Sequence, residues 1–345
     1  MGNTNNIAKN WKLLSGDQNW KGLLDPPDID LLRQIIHYGE RVQVTGDAFN
    51  TEKVSKNKGS CRYAKKDLFA KVFLEQGNPF KYSMTKYFYA TSSFPVVNPW
   101  IEESNWMGGT IKLLEWLDDA QVNLVSASEI LGKDHDPKVH EGFYSIYTTD
   151  NPSSQFNNKS TRDQVNDEIK RLVEEYKDEE TVSITVAGHS QPNKAFPVTA
   201  FMLASPRVGD TGFKKVFDGL NLSLLRIHNA RDSVPDLPPL FDYAEVGVEH
   251  KIDTTKSEYL KSHWIRGSPT LHNLEAYLHG VAQGSEGGFH LEVDRPVALV
   301  NKLLDGLKGE YGIPVSWWQV QNKGMVQDAD GSWELKDREE DDDDS

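Results

Sequence analysis

A chain of 345 residues with 38 Lys and Arg against 52 Asp and Glu has a formal net charge of -14, and its 37% hydrophobic and 26% charged residues suit a globular protein with a sizeable core. The negative balance excludes nucleic acid and tight electrostatic docking on anionic membranes, since both are polyanions. A single cysteine, Cys61, excludes an internal disulfide and points to a reducing compartment.

Residues 1–10 have neither the apolar core of a secretory leader nor the composition of a transit peptide. Asn6 stands where a myristoylation signal wants Ser or Thr, so the expected location is cytoplasmic. The longest apolar runs, such as residues 198–204, are far too short to span a bilayer, and any lipid must be met from the water side. Over residues 28–38, Leu31, Leu32, Ile35 and Ile36 recur at helical spacing behind Asp and Pro residues suited to a helix start. A second helix is predicted over residues 161–176, with Val165, Ile169, Leu172, Val173 and Tyr176 on one face and Ser160 and Asp163 at capping-box spacing.

Directly after that helix, residues 181–187 are β-branched and apolar, closed by Gly188, and read as a buried strand. Residues 198–204 and 222–228 are strand-like too, and helical periodicity returns at 274–281 and 297–307. Strands alternating with helices imply an α/β fold, a mainly parallel central sheet with helices on both faces. No internal repeat is present. One domain over residues 1–320 is expected, then an extension over 321–345 whose acidic stretch, 337–344, has the composition of a disordered tail.

Three residues stand out as candidates for chemistry. Ser190 closes Val186-Ala187-Gly188-His189-Ser190 at the end of a predicted strand, where small residues let the backbone bend and expose a nucleophilic hydroxyl. The bland reading of so short a pattern is an ordinary turn serine. Asp232 follows another strand and precedes Pro235, Pro238 and Pro239, a stiff loop suited to an acid that holds a histidine; Asp236 fits nearly as well, and an Asx turn is the bland alternative. His272 lies just ahead of a predicted helix, where an imidazole can act as general base, with His279 and His263 as competitors. The chain order Ser190, Asp232, His272 is the order used by α/β-hydrolases.

The stretch from Pro197 to Asp210, the runs from Asp232 to Pro239 and from His272 to Gly280, and Val315-Ser316-Trp317-Trp318 are similar to the plant class II phospholipase A1 enzymes. So are Asn10-Trp11-Lys12-Leu13-Leu14-Ser15-Gly16 and Lys86-Tyr87-Phe88-Tyr89-Ala90-Thr91-Ser92, and the likeness runs nearly the whole length of the chain. The resemblance implies an α/β-hydrolase fold like that of the fungal triacylglycerol lipases. It implies hydrolysis of the sn-1 acyl ester of phospholipids, at a membrane or micelle surface, with no metal or other cofactor. Carried over by motif, Ser190 is the nucleophile, Asp232 the acid and His272 the base, with Thr110 and the amide of Gln191 as oxyanion donors.

The family pattern is interrupted twice. After the nucleophile it continues with Leu-Gly and a long small-residue helix; here Ser190 runs through Gln191-Pro192-Asn193-Lys194 straight to the strand at residue 198. A parallel pair needs a crossover of about a dozen residues, usually helical, and Pro192 and Pro197 leave no room for one. Before Gly109-Thr110 the family's hydrophobic strand and arginine are missing, and the region from Ser93 to Trp106 lacks its lid-like insertion. The sheet is therefore expected to lack one strand and the helix after the nucleophile, and to leave Ile184, Val186, Phe201 and Leu203 uncovered. Two functions follow: a phospholipid acylhydrolase, or a catalytically impaired relative that only binds lipid or a protein.

Overall fold

The computed structural model describes residues 7, 9–50, 52, 55–75, 80–91, 105–106, 123–154, 156–179, 183–189, 198–220, 222–261, 269–283, 289–320, 325–327, 329, 333–335 and 338–339. Its principal elements are helices α1 (Ile29–Asp47) and α2 (Thr161–Glu175), strands β1 (Ile184–His189) and β2 (Val198–Leu203), helix α3 (Thr211–Gly219), strands β3 (Ser223–Asn229) and β4 (Val248–Ile252), and helix α4 (Leu274–Val281). Two compact units emerge: Met1–Gln43 with Leu113–Glu141 and Ser183–Trp317, and Val44–Lys112 with Gly142–Val182 and Trp318–Ser345.

The first unit is built on a parallel sheet in the order β1-β2-β3-β4. Parallel strands bury both faces, and alternate residues of each strand serve opposite sides. Phe201, Leu203, Leu225, Ile227 and Ile252 share one face. They form a single core with Leu31, Leu32, Ile35 and Ile36 of α1 and Leu274, Tyr277, Leu278 and Val281 of α4. Trp20 meets Phe201 edge-on at 6.0 Å, and Tyr38 stacks on it at 5.3 Å. The opposite face carries Ala200, Met202, Leu224 and Arg226, also buried.

Helix α1 starts where its sequence places it, because Asp28 Oδ1 accepts the amides of Asp30 and Leu31 at 2.9 and 3.1 Å. It runs well past residue 38, since Gly39 is no breaker here: it lets the backbone lie against Leu278, and a Cβ at that position would stand 2.2 Å from Leu278 Cδ2. Phe201 and Leu203 are fully buried, contrary to the expectation that they lie uncovered. They belong to the face that α1 and α4 cover, and both of those helices are intact. Ile184 and Val186 are half-buried. Strands β1 and β2 stay in parallel register from Ile184↔Val198 to His189↔Leu203. The eight intervening residues can span at most about 28 Å, more than the return along a six-residue strand requires.

Residues 297–307 depart from the helical expectation: only Val297–Leu299 form a 3-10 turn. The Asn301 side chain is the cause, because its Oδ1 accepts the amides of Gly306 and Leu307 and closes a loop in place of helical bonds.

In the second unit α2 begins as expected, with Ser160 Oγ accepting the Asp163 amide. The face it buries differs from the expected one. Thr161, Gln164 and Glu168 are buried, Val165, Ile169 and Leu172 are half-buried, and Val173 and Tyr176 are exposed. Polar anchoring decides this. Gln164 Oε1 accepts the Tyr89 amide at 3.1 Å, its amide nitrogen donates to the Tyr89 carbonyl at 3.0 Å, and Thr161 donates to the same carbonyl at 2.9 Å. Tyr89–Ala90 pairs antiparallel with Asn105–Trp106. Of the acidic C-terminal stretch, Arg338 and Glu339 are described. The Glu339 amide donates to the Arg62 carbonyl at 2.7 Å, and its carboxylate meets Lys71 at 2.9 Å.

Candidate active site

The C-terminal end of β3 and the N-terminal end of α4 bring two of the predicted residues together. Asp232 follows β3 after a turn in which Arg231 takes a φ of 78°, a left-handed conformation that reverses the chain and aims the carboxylate inward. His272 ends the 3-10 turn Pro269–His272, and Asn273 then caps α4 through the Ala276 amide at 3.1 Å. His272 Nδ1 lies 2.9 Å from Asp232 Oδ2, with both residues buried. A carboxylate acceptor fixes Nδ1 as the protonated nitrogen, so Nε2 is the one that takes up a proton in base catalysis.

Asp232 is held at three points. Its Oδ1 accepts the Val234 amide at 3.0 Å, and its Oδ2 accepts from both His272 Nδ1 and the Tyr277 hydroxyl. Burial pushes the carboxyl up, but the hydrogen bond and charge of His272, with the Tyr277 and Val234 hydrogen bonds, hold it below the usual carboxylate value. The Tyr277 phenol is pushed well up, first by burial and then by the Asp232 charge.

Two side chains that the sequence reading passed over make this corner rigid. Asn229, fully buried at the end of β3, donates from Nδ2 to Thr254 Oγ1 at 2.8 Å and to the Leu271 carbonyl at 3.2 Å, and accepts the Thr254 amide on Oδ1 at 3.0 Å. Arg207 donates to the carbonyls of Asp236 and Pro238, pinning the loop that follows Asp232. Its other terminal nitrogen meets Glu245 at 2.7 Å, and Glu245 also holds Arg226 at 2.8 Å. The family run from Pro197 to Asp210 already contained Arg207; Asn229 had only its place at a strand end to signal it.

Of the rival candidates, Asp236 has a 62% exposed side chain beside Arg207 at 3.6 Å and does not touch His272. His279 points elsewhere: it is fully buried, stacked on Phe289 at 5.2 Å and edge-on to Tyr259 at 5.2 Å. Ser190, Gln191, Thr110 and His263 lie outside the described residues. Asp232 and His272 therefore meet just beyond β3, two strands along the sheet from β1, the strand that precedes Ser190.

Comparison with known proteins bears on the rest of the chain. The family model for lipase (class 3) matches residues 106–191 and 191–241, two pieces that meet at Gln191. Phospholipase A1-II 1 of Oryza sativa subsp. indica is 46% identical over 392 residues, covering 98% of this chain and 98% of the rice protein. Phospholipase A1-IIgamma of Arabidopsis thaliana is 43% identical over 403 residues, covering 98% and 95%. The aligned length of 392 exceeds the 345 residues of this chain by 47, so the relatives carry internal residues that this chain lacks. Among solved structures, the Lip2 lipase of Yarrowia lipolytica is similar at 19% identity and a TM-score of 0.42 over 66% of this chain and 80% of that one. Lipase II of Rhizopus niveus reaches 24% and 0.33 over 43% and 56%. On the near full-length identity to the rice and Arabidopsis proteins, the chain belongs to the plant phospholipase A1-II family of class 3 lipases, with the α/β-hydrolase fold.

Proposed function

We propose that the chain is an acylhydrolase that cleaves the sn-1 ester of phospholipids, with Ser190 as nucleophile, His272 as base and Asp232 as the group that orients the base. The observation that carries this reading is the buried Asp232–His272 pair at 2.9 Å, presented after a strand end and ahead of a helix in the order the triad requires. Ser190 Oγ attacks the sn-1 carbonyl while its proton passes to His272 Nε2, and the ionised Asp232 stabilises the resulting imidazolium. The tetrahedral oxyanion is held by Thr110 and the Gln191 amide. Collapse expels the lysophospholipid alkoxide, which takes the proton. A water then gives its proton to His272 and attacks the acyl-enzyme; collapse breaks the bond to Ser190 Oγ, which takes that proton back from His272, and the fatty acid is released.

The net charge of -14 favours zwitterionic over anionic lipid surfaces. Among the described residues no helix is long and apolar enough to cross a membrane, so the substrate is approached from the water side. The proposed setting is the cytoplasm, in keeping with the lone buried thiol of Cys61.

A second reading, a non-catalytic lipid- or protein-binding relative, is favoured by the family match breaking at Gln191 and by the internal residues present only in the relatives. Phosphatidylcholine vesicles carrying different acyl chains at sn-1 and sn-2 separate the two. The first reading expects release of the sn-1 acid, abolished by Ser190→Ala. Release of the sn-2 acid contradicts it. No release from this chain, alongside turnover by a version with the family's missing segments restored, establishes the second.

A further inference from the structure

The Tyr277 hydroxyl reaches the same carboxylate oxygen as the base. Tyr277 is fully buried in α4, five residues beyond His272. Its hydroxyl accepts the Asn229 amide at 3.2 Å and donates to Asp232 Oδ2, the oxygen that also takes His272 Nδ1 at 2.9 Å. A buried phenol needs a partner, and a main-chain carbonyl would meet that need. Here the partner is instead the one oxygen that orients the base.

Asn229 links both ends of this arrangement. Its backbone amide fixes the Tyr277 hydroxyl, and its side chain holds the carbonyl of Leu271, the residue just before His272. With Val234 on Oδ1, the three donors leave the Asp232 carboxylate no freedom to rotate.

We propose that Tyr277 is a positioning residue of the acid–base pair: its hydroxyl locks the Asp232 carboxylate in the plane that meets His272 and, by sharing Oδ2, weakens the Asp232–His272 hydrogen bond. Two donors on one oxygen compete for the same electron density, so each bond is weaker than it would be alone. The role in turnover rests on the acylhydrolase reading; the coupling between Tyr277 and His272 does not. Burial and the Asp232 charge keep the phenol protonated, so it stays a donor wherever the carboxylate is ionised.

The coupling is read directly from the His272 Nδ1 proton by NMR of the full chain labelled with 15N-histidine, assigned by its loss in His272→Gln. In Tyr277→Phe the ring packing is kept and Oδ2 has one donor fewer, so the Nδ1 proton moves downfield. Replacing Tyr277 with a fluorinated tyrosine, a stronger donor of nearly the same size, moves it upfield and serves as the test should Tyr277→Phe fold poorly. On phosphatidylcholine vesicles Tyr277→Phe lowers kcat by about tenfold and leaves KM unchanged, as expected for a lost orienting contact. An Nδ1 proton that stays in place in both variants, with only the melting temperature lowered, overturns the proposal and makes Tyr277 a packing residue. Opposite shifts in a chain that hydrolyses no lipid in any form uphold the positioning role and sink the acylhydrolase reading alone.

Discussion

Replacing Asn229 with alanine tests whether the active-site corner hangs on one side chain. In the native chain this amide ties the end of β3 to Thr254 after β4 and to Leu271 before His272, all at buried positions. Alanine leaves the Thr254 amide and the Leu271 carbonyl without partners, and the Thr254 hydroxyl loses its contacts at 2.8 and 3.0 Å. Each of the two buried groups left unsatisfied costs about 1–3 kcal/mol, so Asn229→Ala is expected to lose roughly 2–6 kcal/mol. Against the 5–15 kcal/mol typical of a domain, that is a large share. Urea titration followed by tryptophan fluorescence measures the loss. Thr254→Val is the control, because it keeps the main-chain bond to Asn229 Oδ1 and should cost only about 1 kcal/mol. The two changes should be markedly non-additive, since both remove members of one network. An Asn229→Ala chain within about 0.5 kcal/mol of wild type would falsify the argument, because surface substitutions alone produce changes of that size.

Asp232→Asn keeps the side-chain shape but sets an amide against His272 and Tyr277; lipid hydrolysis should fall by about four orders of magnitude with the fold intact by circular dichroism, and retention of a tenth of the rate refutes the assignment. Burial, then the charge of Arg295, lowers the His279 pKa from its ordinary 6.5 to about 3. The unfolded chain therefore binds a proton that the folded chain refuses between those values, and stability is lost as pH falls below 6.5, at about 1.4 kcal/mol per pH unit for this residue. His279→Leu should flatten the slope of the urea midpoint between pH 7 and 5, and an unchanged slope counts against the reasoning. Gly209→Ala puts a Cβ 2.4 Å from the Lys138 carbonyl oxygen and 2.7 Å from Phe213 Cγ. Backbone cannot yield as a side chain can, so a loss of about 1–3 kcal/mol is expected in thermal unfolding, and an unchanged melting temperature contradicts the contact.

The legible parts of the sequence were those governed by local patterning. The four apolar residues of α1 all reached the core, and α4 runs over the residues whose periodicity announced it. Asp232 and His272 were legible because strand-end loops and chain order restrict where an acid and a base can sit. Helix α2 misled because the hydrophobic spacing of Val173 and Tyr176 says nothing of Gln164, whose amide is drawn inward by the main chain of Tyr89, 75 residues away. Asn301 misled at residues 297–307 for a related reason, since a side chain that satisfies backbone amides can end a helix that apolar periodicity would continue. Tyr277 carried no signal of its own in the sequence, and only its hydroxyl on Asp232 sets it apart from the buried aromatics around it. The expectation that Phe201 and Leu203 would be uncovered failed because alternation sends them to the face that keeps both of its helices.

Among the described residues, Val234 and Tyr277 donate to the Asp232 carboxylate that meets His272, and Asn229 holds the Tyr277 hydroxyl and the Leu271 carbonyl; all of these lie at or beyond the end of β3. Every one of those residues lies downstream of Gln191, where the two pieces of the family match meet. The Asp232–His272 pair thus takes these hydrogen bonds from residues 229–277, while α4, which carries Tyr277, shares its core with α1 from the start of the chain. A change of sequence near Gln191 leaves every one of these donors and acceptors in the chain.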